Sequence, residues 1–163
     1  MAEMSVEDTF IREAIELLQK SFLPRTRAAL ARLSDTEVWW RPNSHSNSVG
    51  NIVLHMCGNL RQWIISGIGG AEDTRTRPLE FSEKGPLPSA ELLARLEGTV
   101  QEAVAVLERF DRTRLLEHRS IQVYEVSLLR AILHAVEHFS YHTGQIIYVV
   151  KMLRNEDLKF YDL

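Results

Sequence analysis

Three histidines lie within nine residues near the C-terminal end of the chain, at positions 134, 138 and 142. In an α-helix each step of four residues turns by about 40° around the axis, so the three imidazoles would share one strip of surface. Two imidazoles one turn apart can bind the same divalent cation. The spacing therefore predicts a metal site on this helix, formed either by His134 and His138 or by His138 and His142.

A third ligand has to come from another part of the chain, and His55 is the candidate. Asn51, Asn59 and Gln62 share its strip on a second amphipathic segment, beside the apolar stripe. Polar strips at a helix interface cost free energy unless they are hydrogen-bonded or hydrated. Two such strips that face each other predict a water-filled pocket. Three neutral imidazoles there would leave coordination positions open, as catalytic metal sites do.

The same helix also matches a rival motif. Residues 134–138 read H-x-x-E-H, the inverted zinc-protease signature, in which Glu137 would be the general base. We reject this interpretation because such enzymes are large and need an acidic ligand well downstream, whereas 25 residues follow His138. A di-metal carboxylate bundle is excluded as well. It needs paired Glu-x-x-His motifs, and neither Glu125 nor Glu137 has a histidine three positions later.

Hydrophobic periodicity predicts helices through most of the chain. Four segments have apolar residues at spacings of three and four, namely Val6–Leu33, a segment from Ser48 to the glycines at 67–70, a segment from Ser89, and Tyr124–Leu153. Pro24 should kink or break the first segment, because proline lacks a backbone donor and clashes with the preceding turn. Residues 119–126 are rich in β-branched types and predict a short extended entry to the last helix. Together the segments predict an all-α four-helix bundle.

Length and charge limit the possible functions. We interpret residues 1–163 as a single domain, because this is the length of one ordinary domain. The net charge of −3 gives no electrostatic argument for a nucleic-acid or membrane partner. Met1–Ser5 lacks the basic start of a secretory signal. Cys57, the single cysteine, excludes an internal disulfide and is expected to be a small buried hydrophobe. We therefore expect a cytoplasmic protein.

Two segments resemble the DinB-like superfamily. They are Asn47–Ile52, which leads to His55, and His134–Ile146, which contains the rather specific sequence YHTGQ. The residues Trp39–Pro42 and the connector between the second and third helices are also similar, so the resemblance covers most of the chain. The branch resembles small bacterial members that are grouped as domains of unknown function.

This resemblance implies metal ligands at His55, His138 and His142 and leaves His134 as a neighbour of the site. The family metal is usually nickel or zinc, with water at the remaining positions. The implied fold is a four-helix bundle in up-down-down-up order, often a homodimer. Thr143 stands where the family commonly has a basic residue before Gly-Gln, which would remove one positive charge next to the site.

Characterised relatives in the superfamily include transferases and isomerases that use low-molecular-weight thiols such as bacillithiol or mycothiol. We therefore expect a metal-dependent thiol S-transferase or hydrolase acting on a small molecule, in which the metal lowers the pKa of a bound thiol. The alternative is a bundle that binds a metal or small ligand without catalysis, since no general acid or base can be assigned.

Five further residues are candidates for contacts with a small molecule. Tyr141 and Gln145 could orient a ligand, although Tyr141 is expected to be a packing residue. Arg61, Arg75 and Arg77 could bind an anionic group, although a solvated arginine is the default.

Overall fold

The computed structural model describes residues 5–85 and 87–160, so most of the segment used for the signal-peptide prediction, Met1–Met4, lies outside the described residues. The described chain is mostly helical, with one small two-stranded sheet. The helices are α1 (Val6–Glu16), α2 (Leu23–Leu30), α3 (Val49–Leu60), α4 (Arg77–Ser82), α5 (Ser89–Arg109) and α6 (Leu128–Arg154). Wider π-helical turns span Leu17–Phe22 and Arg61–Ser66, and single 3-10 turns span Glu37–Trp39 and Arg112–Arg114. The strands are β1 (His118–Ile121) and β2 (Tyr124–Ser127).

The first helical segment continues through Pro24 and is not broken there. Between α1 and α2 the chain widens into the π-helical turn, in which the Leu23 amide donates to the Leu18 carbonyl five residues back. Pro24 then lies in the first turn of α2. Its missing amide hydrogen is tolerated there, because the first amides of a helix have no partner within that helix. The predicted break is therefore wrong, and the helix instead changes from π-helical to α-helical turns just before Pro24.

Ser48 caps α3, as predicted. Its hydroxyl accepts a hydrogen bond from the Asn51 amide, and the Asn51 side-chain oxygen accepts one from the Ser48 amide, which completes a capping box. The buried Asn51 side chain also donates to the backbone carbonyls of Glu80 and Glu83. The start of α3 is therefore tied to α4, one turn before His55.

The connector between α3 and α5 contains α4 and lies against α3. Arg41 supports it by donating from Nη2 to the Asn51 side-chain oxygen at 2.7 Å and to the Phe81 carbonyl at 3.2 Å. The Trp39 indole donates to the Leu87 carbonyl at 2.9 Å. The Trp39 ring lies so close to α3 that a Cβ at Gly50 would come within 2.8 Å of it. These contacts give the long connector a defined position on the helices.

The apolar stripes of the long helices meet in one core. Helix α3 contacts both α5 and α6, and α2 contacts α5 and α6 from its own side. Burying each large aliphatic or aromatic side chain of this kind contributes about 1.5–3 kcal/mol relative to exposure. Large side chains with at most 1% exposure include Met56, Leu60, Leu96, Leu107, Ile132 and Phe139. None of the helices within residues 5–85 and 87–160 has the length and apolar character needed to cross a membrane.

Helix α6 begins at Leu128, four residues later than predicted, because Tyr124–Ser127 forms β2. Strands β1 and β2 pair as an antiparallel hairpin, which confirms the predicted extended entry. The Ser127 hydroxyl then caps α6 by accepting from the Arg130 amide. The helix ends at Arg154, and Asn155 adopts a left-handed conformation with φ 51°, as expected of a C-terminal stop.

Candidate metal centre

Helices α3 and α6 bring three imidazoles together where they meet. The Nε2 atom of His138 lies 3.0 Å from Nε2 of His55 and 3.2 Å from Nε2 of His142. Each ring places one nitrogen within 4.8 Å of the other two. Nitrogen ligands at about 2.0–2.1 Å from a tetrahedral cation are separated by roughly 3.3–3.4 Å. The structure therefore brings the three predicted ligands together with a spacing suited to one ion.

The three imidazoles are shielded from solvent to different degrees. His55 is 8% exposed, and His138 and His142 are partly buried. Burial, together with the neighbouring imidazoles, lowers the pKa of His138 to about 2 and the pKa of His142 to about 4. Both rings are therefore neutral near pH 7, which is the form that coordinates a metal.

The orientation of His55 is fixed by a carboxylate in the connector. Its Nδ1 lies 2.8 Å from Oε2 of Glu80. An ionised carboxylate only accepts, so Nδ1 carries the hydrogen and Nε2 presents a lone pair toward His138. Arg75 Nη2 also lies 3.1 Å from the same Nδ1. This contact is not a hydrogen bond, because both nitrogens are then donors.

Arg75 holds Glu80 in a bidentate ion pair. Its Nε donates to Oε1 at 2.7 Å and its Nη2 donates to Oε2 at 2.9 Å. Burial raises the pKa of the Glu80 carboxyl, but the hydrogen bonds from His55 and Arg75 outweigh it, so the pKa is lowered overall. The Arg75 side chain is 3% exposed, so the default of a solvated arginine is wrong for this residue.

The orientation of His142 is fixed within its own helix. Its Nδ1 lies 2.7 Å from Oε1 of Gln145, three residues later on α6. An amide oxygen accepts, so Nδ1 of His142 carries the hydrogen and Nε2 again presents a lone pair. Gln145 therefore orients a candidate metal ligand, and the expectation that it orients a bound small molecule stays a prediction.

These hydrogen bonds leave more acceptors than donors among the three Nε2 atoms, and a bound cation would satisfy all three acceptors. Nε2 of His55 and Nε2 of His142 both present lone pairs, and both lie close to Nε2 of His138. A single hydrogen on His138 can pair with one of these lone pairs but not with both. A cation at the centre would bind all three nitrogens at once. The donor set therefore fits a divalent metal.

Two clefts open beside the three histidines, and both are lined in part by His55 and Arg77. We call the first, of about 560 Å³, the cationic cleft; its other lining residues include Trp63, Arg75, Tyr124, Arg130, His134 and His138. We call the second, of about 770 Å³, the tyrosine cleft; its other lining residues include His45, Phe81, Tyr141, His142, Tyr148 and Met152. The candidate metal centre is thus accessible from two directions, in agreement with the predicted pocket.

His134 lies beside the three-histidine group and not within it. Its Nε2 accepts a hydrogen bond of 3.3 Å from the Asn59 side-chain amide, and its ring lies 4.1 Å from the Trp63 ring. Burial lowers the pKa of His134 as well. Glu137, the general base of the rejected protease interpretation, is exposed.

Two expectations about α6 need correction. Tyr141 is 62% exposed, with its ring 5.0 Å from the His142 ring, so it is a surface residue at the tyrosine cleft and not a packing residue of the core. Thr143 is buried, and its hydroxyl lies 3.0 Å from the hydroxyl of Thr26. Position 143 therefore faces α2, so the threonine removes no charge from the candidate metal centre.

Glu80 was not identified from the sequence as part of the candidate site. Gly58 is the sequence feature that could have indicated that another side chain packs closely against α3 at this position. A Cβ at Gly58 would collide with Oε1 of Glu80 and lie 2.8 Å from Nε of Arg75. A glycine inside a helix often marks such a close approach.

Two other candidates from the sequence lie outside the site. Cys57 packs against the core, and burial raises the pKa of its thiol to about 11. Arg61 pairs with Glu102 outside both clefts.

Comparisons with known proteins identify a family and a fold. The model of a family described as "Protein of unknown function (DUF1572)" matches residues 5–162. This family has the DinB-like fold. No curated protein matches the chain. The crystal structure of a conserved protein from Enterococcus faecalis is similar, with a TM-score of 0.76 and 17% identity over 94% of this chain and 100% of that chain. At this identity the similarity shows the helical fold alone.

Proposed function

The chain belongs to the DUF1572 family, and we propose that it binds one divalent metal ion through His55, His138 and His142. The observation that carries the proposal is the convergence of three Nε2 atoms whose hydrogen-bond needs cannot all be met by one another. Glu80 and Gln145 hold the Nδ1 hydrogens of two of the rings, which is the usual arrangement around metal-binding histidines. Three imidazole donors suit zinc and nickel.

The proposal includes a reaction class, thiol S-transfer to a small molecule. When bound, the metal would supply Lewis acidity, which lowers the pKa of a coordinated thiol or water. Among the described residues, no Asp or Glu side chain lines either cleft. Metal-dependent hydrolysis often uses a carboxylate as the general base for water, whereas a thiol has an ordinary pKa of about 8.5 and ionises more readily. The composition of the clefts therefore favours a thiol nucleophile over a hydrolase.

A bundle that binds a metal or a small ligand without catalysis is the second candidate. The lack of a carboxylate in the described parts of the clefts supports it, because a carboxyl group is a common proton donor for a leaving group. The two candidates share the metal site and differ in turnover.

The DinB-like four-helix arrangement in up-down-down-up order and the homodimer also belong to the proposal. Helices α3 and α5 contact each other. They are joined by a connector long enough to cross the bundle, as parallel neighbouring helices require.

Light scattering after gel filtration tests the proposed homodimer, which should have twice the 18.7 kDa of one chain. A mass of one chain would overturn it.

Metal analysis tests the proposed site. Protein purified with added zinc or nickel should hold about one metal per chain, and chelation should remove it. The His142→Ala variant should fall below about one tenth of a metal per chain while keeping its helical circular dichroism. The His134→Ala variant is the matched control from the same strip of α6 and should retain the metal. Equal losses in the two variants would show that the wrong histidines were chosen.

Turnover separates the two candidate functions. The metal-loaded protein is mixed with a low-molecular-weight thiol and a panel of electrophiles, and loss of free thiol is followed over time. Metal-dependent consumption that is absent from the His142→Ala variant supports the transferase. Metal binding without consumption of any thiol supports the non-catalytic alternative.

A further inference from the structure

The cationic cleft contains two arginines whose charge is not compensated. Arg77 and Arg130 both line it, and both are exposed. Neither guanidinium forms an ion pair or a hydrogen bond with another residue in the described part of the chain. The Arg77 guanidinium lies 5.0 Å from the centre of the Phe81 ring, a contact that leaves its hydrogen-bond donors available.

Several arginines elsewhere on the surface have acidic partners. Arg27 pairs with Glu97, and Arg154 pairs with Glu37. The chain has 22 acidic and 19 basic residues, so acidic side chains are plentiful. The lack of one beside Arg77 and Arg130 among the described residues is therefore a local property of this cleft.

The other titratable groups of the cleft do not cancel this charge. Glu80 neutralises Arg75 in the bidentate ion pair. His134 and His138 do not cancel it either, because an imidazole is neutral or positive and never negative. Among the described residues, the two guanidinium charges are therefore uncompensated beside the candidate metal centre, in a protein whose net charge is −3.

The floor of the cleft has polar atoms without partners. Trp63 and Asn59 are about 95% buried, yet the Trp63 indole Nε1 and the Asn59 Oδ1 make no hydrogen bond to any described residue. Buried polar atoms are normally paired, so such exceptions often mark positions completed by a ligand or water. The ring centres of Tyr124 and His134 lie 6.2 Å and 4.1 Å from that of Trp63, so the cleft also has an aromatic lining.

We propose that the cationic cleft binds a small organic anion, with its carboxylate or phosphate groups on Arg77 and Arg130 and its body against Trp63 and His134. This inference rests on the proposed function, since it names the chemical class of the molecule that would be held beside the metal. Bound in this way, the molecule would extend from the exposed arginines toward His138, which lines the same cleft. Arginine suits this role because its planar donors match carboxylate and phosphate oxygens.

Isothermal titration calorimetry tests the inference with three probes: succinate, inorganic phosphate and the uncharged analogue succinamide. Each is titrated into zinc-loaded and chelator-treated protein. The wild type should bind at least one anion about tenfold more tightly than succinamide, and Arg77→Gln and Arg130→Gln should each weaken that binding about tenfold. The anion that binds more tightly shows whether the site prefers carboxylate or phosphate.

The matched control is Arg109→Gln, which removes one positive charge from an exposed arginine that bonds only to its own helix at the Ala105 carbonyl. It should leave anion binding unchanged. Equal affinity for charged and uncharged probes would overturn the inference. So would equal losses in Arg109→Gln and Arg130→Gln, or no binding of either anion up to about 10 mM.

Metal content measured in the same samples separates this inference from the proposed function. Protein that holds zinc but binds anions without regard to Arg77 and Arg130 would contradict the cationic-cleft proposal alone. Protein that holds no zinc would contradict the metal site. In that case, charge-dependent binding to the chelator-treated protein would still support the anion site.

Discussion

The two sides of the candidate metal centre are built in different ways. On α6, His138 and His142 lie one turn apart, and Gln145 orients His142 from three residues away in the same helix. On α3, His55 is oriented by Glu80, which is 25 residues away in the connector and is itself held by Arg75.

This difference shows where the candidate metal centre depends on the fold. The α6 side needs only a helix, because the ligands and the orienting amide follow from helical spacing. The α3 side needs the connector to pack against α3, with a buried ion pair placed over Gly58. We therefore expect substitutions in the connector to change both stability and metal affinity, and substitutions on α6 to change mainly metal affinity.

The largest expected effect follows from Glu80→Ala. It would leave the buried Arg75 guanidinium without its ion-pair partner, with only the Gln62 side-chain oxygen still accepting from Nη1, and losing such a buried partner costs about 3–5 kcal/mol of the free energy of unfolding. It would also remove the acceptor of the His55 Nδ1 hydrogen, which should weaken zinc binding about 10- to 100-fold. Urea unfolding and competition with a chelating dye measure the two losses.

Glu72→Ala is the control for that experiment, because it removes an exposed acidic residue from the same connector. Its effect on the free energy of unfolding should stay within about 0.5 kcal/mol. A stable Glu80→Ala protein with normal zinc affinity would contradict the role assigned to the connector.

A pair of glycine substitutions compares the two sides directly. Gly58→Ala should push Glu80 and Arg75 away from α3, with a net loss of about 1–3 kcal/mol and weaker zinc binding. At Gly144, between His142 and Gln145, an added Cβ would have no described atom within 4 Å other than those of the adjoining turns of α6. Gly144→Ala should raise the free energy of unfolding by about 0.5–1 kcal/mol, because alanine favours the helix, and should leave zinc affinity unchanged. Equal effects in the two variants would remove the distinction between the sides.

Among the substitutions expected to weaken zinc binding, Gln145→Ala should have the smallest effect on stability. The variant loses one hydrogen bond to a neutral imidazole, which should lower the free energy of unfolding by no more than about 1 kcal/mol. Zinc affinity should still fall about tenfold, since the His142 ring loses its fixed orientation. A loss of stability as large as that of Glu80→Ala would show that the α6 side is equally coupled to the fold.

The same difference explains what the sequence could predict about the site. Helical spacing placed His138 and His142 on one strip, and the polar strip around His55 indicated a facing partner. Spacing alone left His134 as an equal candidate, and the DinB-like resemblance excluded it. Glu80 and Arg75 were not recognised as a pair that orients His55, because their position depends on how the connector packs and no periodicity encodes that.

For the fold as well, features set by local sequence were predicted correctly. Local signals correctly predicted the start of the second helical segment at Ser48 and the extended entry to α6. The predictions were less accurate where the tendency to form a helix competes with another local preference, that of proline or of β-branched residues. Pro24 is accommodated by a π-helical turn, and the β2 strand takes the residues Tyr124–Ser127 that had been assigned to the last helix.

X-ray absorption spectroscopy of the zinc-loaded protein shows whether the three imidazoles bind the metal. We expect about three imidazole nitrogens at about 2.0–2.1 Å from the zinc in the wild type and in His134→Ala, and loss of the bound zinc in His138→Ala. An unchanged zinc spectrum in His138→Ala, or a wild-type zinc with no imidazole ligands, would contradict the proposed metal site.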